Sequence, residues 1–405
     1  MRPAVLFILI TVMLDAMGIG LIVPVMPDLI QEVQGTGLSK AALWGGVLST
    51  TFALMQFVFG PIIGGLSDRF GRRPVLLLSL VVMTFDYLVM AVAGSIFILL
   101  LGRVIGGITA ATQSTANAYM ADISGPEDRA ANFGLVGAAF GVGFVLGPLL
   151  GGLLGEYGTR APFYAAAALA AINAIFGYFI LRETVTDAIR RPFRWSRANP
   201  WGSIRQLGKL PGLRPLLLVY FLYQVAFIVY PAIWSYFGKE RFGWDPSTIG
   251  LSLALFGIML AIVQGGMIRF VLRVLGERGT VLYGHLFDIA AFMALAFVAN
   301  GTVALILTPL AALAAVITPA LQGIMSKAVG KDAQGELQGA LTSASALAMI
   351  LSPMMMTSVF ASFTSSTAPL YLPGAPFLLS AALIALGLCV FVTFWPKQRT
   401  AMNTE

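Results

Sequence analysis

Runs of roughly twenty apolar residues alternate with short polar breaks along the whole chain. Each run is long enough to cross a bilayer as a helix. Twelve spans are expected, at about 4–25, 42–65, 74–94, 96–118, 131–155, 162–182, 215–238, 248–272, 279–300, 302–325, 335–360 and 374–396, with ends uncertain by ~2–4 residues. The pattern predicts an all-α membrane protein.

One polar break stands out. Gly64-Gly65-Leu66-Ser67-Asp68-Arg69-Phe70-Gly71-Arg72-Arg73-Pro74 packs four charges between two long apolar runs. Charges this dense lie in water or at lipid headgroups. The glycines and the Ser-Asp pair predict a tight turn, with Pro74 opening the next helix. The break therefore fixes where the chain turns at a membrane surface.

The longest polar stretch runs from Arg182 to Arg214. It carries Arg190, Arg191, Arg194, Arg197, Arg205 and Lys209 among prolines and tryptophans. It reads as a basic, partly amphipathic linker on the membrane surface. The expected organisation is a six-helix bundle at 1–182, a cytoplasmic linker at 183–214 and a second six-helix bundle at 215–405. A weak repeat supports the division. Gly71-Arg72-Arg73 ends the loop after span 2, and Gly276-Glu277-Arg278 ends the loop after span 8. In the second copy Arg273 replaces Asp68. Two pseudo-symmetric halves around a midplane cavity is how many secondary transporters are built.

Composition sharpens this reading. Hydrophobic residues are 58% of 405 and charged residues 11%, against about 25% charged in soluble domains. Mean hydropathy is +0.87. The net charge of +7 invites a nucleic-acid partner, but the basic residues sit in short connections between spans, where they orient a membrane protein. With both termini cytoplasmic, all but five of the 25 Lys and Arg residues fall on the cytoplasmic side. Lys40, Arg160, Lys239 and Arg241 lie outside, and Arg103 lies within a span. The first run contains Asp15 and lacks a clear small-residue cleavage site, so it reads as a retained span. The single cysteine, Cys389, lies in an apolar run and excludes an internal disulfide.

Four spans carry ionisable residues away from their ends: Asp15 in span 1, Asp86 in span 3, Arg103 in span 4 and Asp288 in span 9. A charge near the bilayer centre costs about 2.5–3.5 kcal/mol on insertion scales. Such residues face a polar cavity or pair with one another, and Asp15 with Arg103 is a candidate pair. A cavity carboxylate can trade a proton for a cationic substrate, which is the minimum chemistry of a proton-coupled antiporter. His285, the only histidine, sits three residues before Asp288 on the same helix face. It is either a packing residue or a proton relay to Asp288.

Span 5 contains Gly141, Gly143, Gly147, Pro148, Gly151 and Gly152. Glycines four apart permit close helix approach and Pro148 removes a backbone donor. This predicts a bending, tightly packed helix at the interface of the halves. Gln56, Gln113, Asn117, Gln224, Gln264, Gln322 and Gln338 dot the spans as helix–helix glue or as a polar binding cavity. The chain shows no Walker-type phosphate loop, no Cys/His metal cluster and no nucleophile–base constellation, so an ATP-driven pump, a zinc enzyme and a hydrolase are disfavoured.

These motifs resemble the major facilitator superfamily and, within it, the twelve-span tetracycline/proton antiporters. The resemblance covers nearly the full length. Leu14-Asp15-Ala16-Met17-Gly18-Ile19-Gly20-Leu21-Ile22 with Pro24 and Pro27 is similar to the family's first span. Ser67 to Pro74 is similar to its loop after span 2. Gly102-Arg103, the span 5 glycine-proline motif, Arg241-Phe242-Gly243-Trp244, Pro319-Ala320-Leu321-Gln322-Gly323 and Gln334-Gly335-Glu336-Leu337-Gln338-Gly339 match as well.

The resemblance implies the major facilitator fold and a non-enzymatic exporter. It implies export of tetracycline, chelated to a divalent cation such as magnesium, in exchange for a proton. No resident cofactor or metal is expected; the cation is part of the cargo. Asp15, Asp86, Arg103 and Asp288 match essential polar positions, with His285 added as a candidate. Gln56 and Gln264 match cavity positions, and Gln113, Asn117, Gln224 and Gln322 complete the candidate substrate set. Ser67 and Asp68 match the gating loop, with Gly64, Arg72, Arg73, Gly147 and Pro148 as further gating candidates. Asp68 is expected to brace a neighbouring helix through a helix end or an arginine. The implied setting is a bacterial inner membrane, with a monomer as the working unit. Many relatives carry a histidine in span 8 where this chain has Leu260. That departure leaves coupling to Asp288 with His285, or points to another drug or amphipathic metabolite as substrate. A non-transporting membrane protein is a further, weaker alternative.

Overall fold

The computed structural model describes residues 3–110, 112–125, 127–187, 190, 192–193, 195, 211–330 and 333–402. Among the described residues the chain is helical and contains no strand. Most of the basic linker, including Arg191, Arg194, Arg197, Arg205 and Lys209, lies outside the described residues.

The first part of the chain forms α1 (Pro3–Ile22), α2 (Met26–Gln34), α3 (Leu38–Phe70), α4 (Arg72–Ala91), α5 (Ile96–Thr109), α6 (Thr112–Ile123), α7 (Arg129–Gly155) and α8 (Ala161–Ile180). After the linker come α9 (Arg214–Phe227), α10 (Val229–Phe242), α11 (Pro246–Ile262), α12 (Ile268–Phe297), α13 (Gly301–Ala311), α14 (Ile317–Ala328), α15 (Gln334–Thr364) and α16 (Ala375–Met402). A π turn at Val263–Met267 joins α11 to α12, and a 3₁₀ turn at Ala312–Val316 joins α13 to α14. The Ser95 side chain accepts from the Ile98 N–H, and the Asn300 side chain from the N–H groups of Thr302 and Val303. These caps satisfy backbone donors that have no partner inside the helix.

Among the described residues, eleven stretches are long and apolar enough to cross a membrane. One of them, Pro246–Phe297, is 52 residues long. At 1.5 Å per residue its length is about two and a half times the hydrocarbon core, enough for two crossings. Gly276, at φ 65° inside α12, breaks the helical path. Spans 8 and 9 are therefore two crossings joined by a single glycine kink, in keeping with the twelve expected. Large apolar side chains such as Phe85, Phe97, Ile172, Phe179, Phe270 and Phe297 are exposed on the surface. A soluble monomer rarely shows so much apolar surface, and lipid is the solvent it fits. The protein is an integral multi-pass membrane protein.

The contacts divide the chain into two compact units. One is Met1–Pro200 with Trp244–Ala254, and the other is Trp201–Gly243 with Leu255–Glu405.

In the first unit, α7 lies against α1 along one glycine stripe. A Cβ on Gly143 would meet the Met13 carbonyl, one on Gly147 the Met17 carbonyl, and one on Gly151 the Leu21 carbonyl. The four-residue period thus brings two backbones together. Pro148 packs beside Gly20, and Gly152 lies against Pro246 and Ser247 within the same unit. Around this seam, Phe7, Ile8, Val12, Leu76, Leu80 and Tyr119 form one buried core, and Met17, Leu21, Tyr87 and Ala170 another.

The polar break between spans 2 and 3 is not the tight turn its composition predicts. Gly64, Gly65, Ser67 and Asp68 all lie inside α3, which continues to Phe70. Gly71 alone makes the turn, at φ 111°, and its N–H donates to the Ser67 carbonyl at 3.1 Å. Only glycine takes that conformation without strain. Pro74 is the third residue of α4, not the first. Its missing N–H still costs nothing there, since first-turn donors have no intrahelical partner.

The second unit has its own break. Span 7 stops as α9 at Phe227 and restarts as α10 at Val229. Pro231 has no N–H to offer the Phe227 carbonyl, which explains the interruption. The Ser352 hydroxyl donates to the Val225 carbonyl at 2.7 Å, and the Ser380 hydroxyl to the Ala226 carbonyl at 3.1 Å. Serines of α15 and α16 thus reach two carbonyls just before the break.

Candidate functional site

The first unit holds a buried charge cluster. Asp86 on α4 is 2% exposed and Arg103 on α5 is 8% exposed. Arg103 Nη2 lies 3.7 Å from Asp86 Oδ2. The same nitrogen donates to the Met90 sulfur, and the guanidinium stands 5.4 Å over the Phe52 ring of α3. Gly102 and Gly106 admit the carboxylate: a Cβ there would meet Asp86 Oδ1 at 2.9 Å and Oδ2 at 2.6 Å. Glycines four apart thus form a cradle that lets Asp86 approach the α5 backbone.

Arg103 therefore pairs with Asp86, not with Asp15. Asp15 on α1 is half-buried, and its Oδ1 is enclosed without a hydrogen-bond partner. Tyr87 links the two sites. It follows Asp86 on α4, its hydroxyl packs into the space left by Gly18 on α1, and it lies within electrostatic reach of Asp15, Asp86 and Arg103. Asp86 Oδ1 and Arg103 Nε also lack hydrogen-bond partners. Unsatisfied buried charge of this kind is costly as plain structure and is characteristic of sites that work.

The second unit holds the other carboxylate. Asp288 on α12 is 2% exposed, with Oδ2 unpartnered. His285, one turn earlier, is fully buried; its Nδ1 lies 2.8 Å from the Val281 carbonyl and its Nε2 has no partner. The imidazole stacks on Phe391 at 6.4 Å and faces Gly387 of α16. Tyr223 on α9 and Tyr230 on α10 lie within electrostatic reach of Asp288. Neither tyrosine stood out in the sequence. A tyrosine in an apolar span carries no mark until the fold brings it within reach of a carboxylate.

The polar candidates separate by place. Gln56 on α3 and Gln322 on α14 are half-buried, and Asn117 on α6 has an enclosed, unpartnered Oδ1. Gln224 on α9 donates to the Ser345 hydroxyl of α15 at 3.1 Å, beside a 2.9 Å contact from the Tyr220 hydroxyl. Gln264 and Gln338 are exposed. Gln264 sits in the π turn, a feature often found at functional sites. The side chain of Gln113 lies outside the described residues. Leu260 is half-buried near the end of α11 and packs on the core around Val263 and Val316.

The gating candidates of the loop after span 2 form one network, apart from Gly147 and Pro148 in the α1–α7 seam. Ser67 is fully buried; its hydroxyl donates to the Gly64 carbonyl at 2.8 Å and accepts from Arg72 Nη1 at 2.6 Å. Arg72 also pairs with Asp68 at 2.5 Å and with Asp122 of α6 at 3.3 Å. Arg72, at the start of α4, is thus an arginine that Asp68 meets. Arg73 donates to the Tyr178 carbonyl at 2.8 Å and stands over its ring. Glu183, which sequence reasoning missed, caps the start of α4. Its carboxylate accepts from the N–H groups of Arg72 at 2.9 Å and Arg73 at 3.2 Å. It also accepts from Thr184 and Val185, each at 2.9 Å. The signal was an acidic residue just past span 6, at the level of an uncapped helix start.

Among the described residues no group of three or more His, Cys, Asp or Glu side chains is placed to hold a metal ion.

The comparisons agree with this architecture. The family model described as Major Facilitator Superfamily matches residues 8–353. The chain is 42% identical over 363 residues to the class C tetracycline resistance protein of Escherichia coli, covering 90% of this chain and 91% of that one. It is 38% identical over 403 residues to the class E protein of the same species, covering 98% and 96%. Among solved structures, the human organic anion transporter MFSD10 (TETRAN) matches with a TM-score of 0.69 at 26% identity, covering 96% of this chain and 98% of that one.

Proposed function

The chain belongs to the major facilitator superfamily, and on that premise we propose that it exports tetracycline from the cytoplasm, as a divalent-metal chelate, in exchange for protons by alternating access. The observation that carries the substrate is the likeness to tetracycline resistance proteins across nearly the whole chain. The chain is a transporter and not an enzyme; secondary active coupling is part of the proposal. So are the monomeric state and the inner membrane, which rest on the family resemblance, and the cytoplasmic termini, which rest on the Lys and Arg asymmetry.

The buried carboxylates supply the chemistry. Asp15, the Asp86–Arg103 pair and Asp288 are the coupling groups, with His285 beside Asp288. Asp288 alternates between holding a proton and standing as an anion. Binding of the cationic chelate and proton uptake then exclude one another, which is what an antiporter requires. Gln56, Gln113, Asn117, Gln224, Gln264 and Gln322 are assigned to substrate contact. Gly64, Ser67, Asp68, Arg72, Arg73, Gly147 and Pro148 are assigned to gating. No resident metal takes part; the divalent cation travels with the drug.

The test is uptake of tetracycline with magnesium into everted membrane vesicles, with and without an imposed proton gradient. Gradient-driven uptake that disappears in Asp288→Asn supports the reading. Absence of tetracycline uptake in the wild type removes the substrate, and Leu260 then directs the search to another amphipathic compound. His285→Phe tests the relay: unchanged coupling in that variant returns His285 to a packing role.

A further inference from the structure

Tyr230 opens the second half of span 7, directly after the break at Ile228 and before Pro231. Its ring is the centre of an aromatic cluster within the second unit. It lies 4.8 Å from Phe256, 5.5 Å from Phe292, 5.7 Å from Phe227, and 6.3 Å from both Trp234 and Phe377. The side chain is 4% exposed, yet its hydroxyl has no hydrogen-bond partner. A buried phenol almost always finds one.

A candidate partner lies on α12. Phe292, which packs on the Tyr230 ring, lies one turn after Asp288 on the same stripe of α12. Asp288 Oδ2 is the other enclosed oxygen without a partner in this neighbourhood. One donor and one acceptor, both enclosed and both unsatisfied, thus lie within electrostatic reach of one another. Tyr223 differs, because its hydroxyl is hydrogen-bonded to Thr318.

We propose that the Tyr230 hydroxyl is a positioning group for Asp288, donating a hydrogen bond to the carboxylate in the stage of the cycle at which Asp288 has released its proton. The phenol keeps its own proton throughout. In this structure the two groups make no hydrogen bond to one another. The break at Ile228 supplies the freedom, since the start of α10 can turn without disturbing a continuous helix. The inference rests on the reading of Asp288 as the coupling carboxylate.

The other titratable groups around Asp288 are few. His285 precedes it on α12, Tyr223 faces it from α9, and Tyr220 of α9 interacts with Tyr223. On α14, Lys327 pairs with Glu277 at 2.7 Å, far along α12 from Asp288. The α13 segment has no ionisable side chain, and α16 offers only the exposed Cys389 before Phe394.

The test is the pH profile of gradient-driven uptake in vesicles for wild type, Tyr230→Phe, Tyr223→Phe and Asp288→Asn. Tyr230→Phe keeps the ring packing and removes only the donor. Its half-maximal pH should move upward by about half to one unit, a roughly three- to tenfold change in proton concentration, with little change in substrate KM. Tyr223→Phe should leave the profile in place. Trifluorotyrosine at 230 gives a stronger donor of nearly the same shape and should move the profile the other way. A Tyr230→Phe profile superimposed on wild type, or an equal shift in Tyr223→Phe, overturns the inference while leaving the coupling role of Asp288 intact. Gradient-driven uptake surviving in Asp288→Asn removes the coupling reading itself. Should Tyr230→Phe not fold, the fluorotyrosine profile decides alone: a shift supports the inference and none overturns it.

Discussion

Arg103 and Asp86 form a 3.7 Å ion pair between α5 and α4, with both side chains almost wholly withdrawn from their surroundings. Removing one partner of a buried pair leaves an uncompensated charge and costs about 3–5 kcal/mol. Asp86→Leu and Arg103→Leu should each lower the melting temperature of the detergent-solubilised protein sharply. The double variant should be milder than the sum of the two. Additive losses would mean that the two charges are not energetically coupled.

The seam between α1 and α7 has no spare volume at Gly147, where an added Cβ would meet the Met17 carbonyl and Gly20. Gly147→Val should destabilise by about 1–3 kcal/mol through overpacking. Gly141 has nothing within 4 Å of an added Cβ. Gly141→Ala should be neutral or stabilising by up to about 1 kcal/mol, from helix propensity alone. Thermal melts of the two variants separate a packing role from simple helix flexibility.

Glu183 caps four backbone N–H groups at the start of α4 and in the segment after α8. Glu183→Ala should cost about 1 kcal/mol and raise protease sensitivity around residues 183–187. Gly71→Ala should be worse. It forces a side chain into a φ of 111° and against the Glu183 carboxylate. Limited proteolysis and melting of both variants check the order.

Glu32 on α2 lies outside the membrane spans. The Thr159 hydroxyl, then Arg160, hold its carboxyl below the ordinary value of 4.5, against a smaller opposing effect of burial. The Thr159 bond is 2.6 Å and the Arg160 ion pair 3.0 Å. A depressed carboxyl stabilises the fold fully above the unfolded value. That contribution fades as pH falls from there through the folded value. Melting curves of wild type and Glu32→Gln should differ at neutral pH and converge below pH 4.5. A constant offset down to acid pH would rule out this linkage.

The twelve crossings, the membrane class and the ionisable residues within the spans follow from the sequence alone. Length, hydropathy and the rarity of intramembrane charge are one-dimensional signals. The glycine stripe of α7 was also legible, because a four-residue period marks one face of a helix whatever it meets. What the stripe meets, α1 at Met13, Met17 and Leu21, came only from the tertiary structure. So did the partner of Arg103, which is Asp86 and not the candidate Asp15, and the electrostatic reach of Tyr230 to Asp288. Helices that are apolar on every face carry no periodic mark of which side turns inward. Their rotation and their neighbours are set by packing, by glycine cradles such as Gly102 and Gly106, and by buried polar groups finding one another. The turn after span 2 shows the same division. The sequence placed the charges correctly, but the backbone conformation that makes the turn belongs to Gly71, and the Glu183 carboxylate that caps the next helix arrives from 110 residues away.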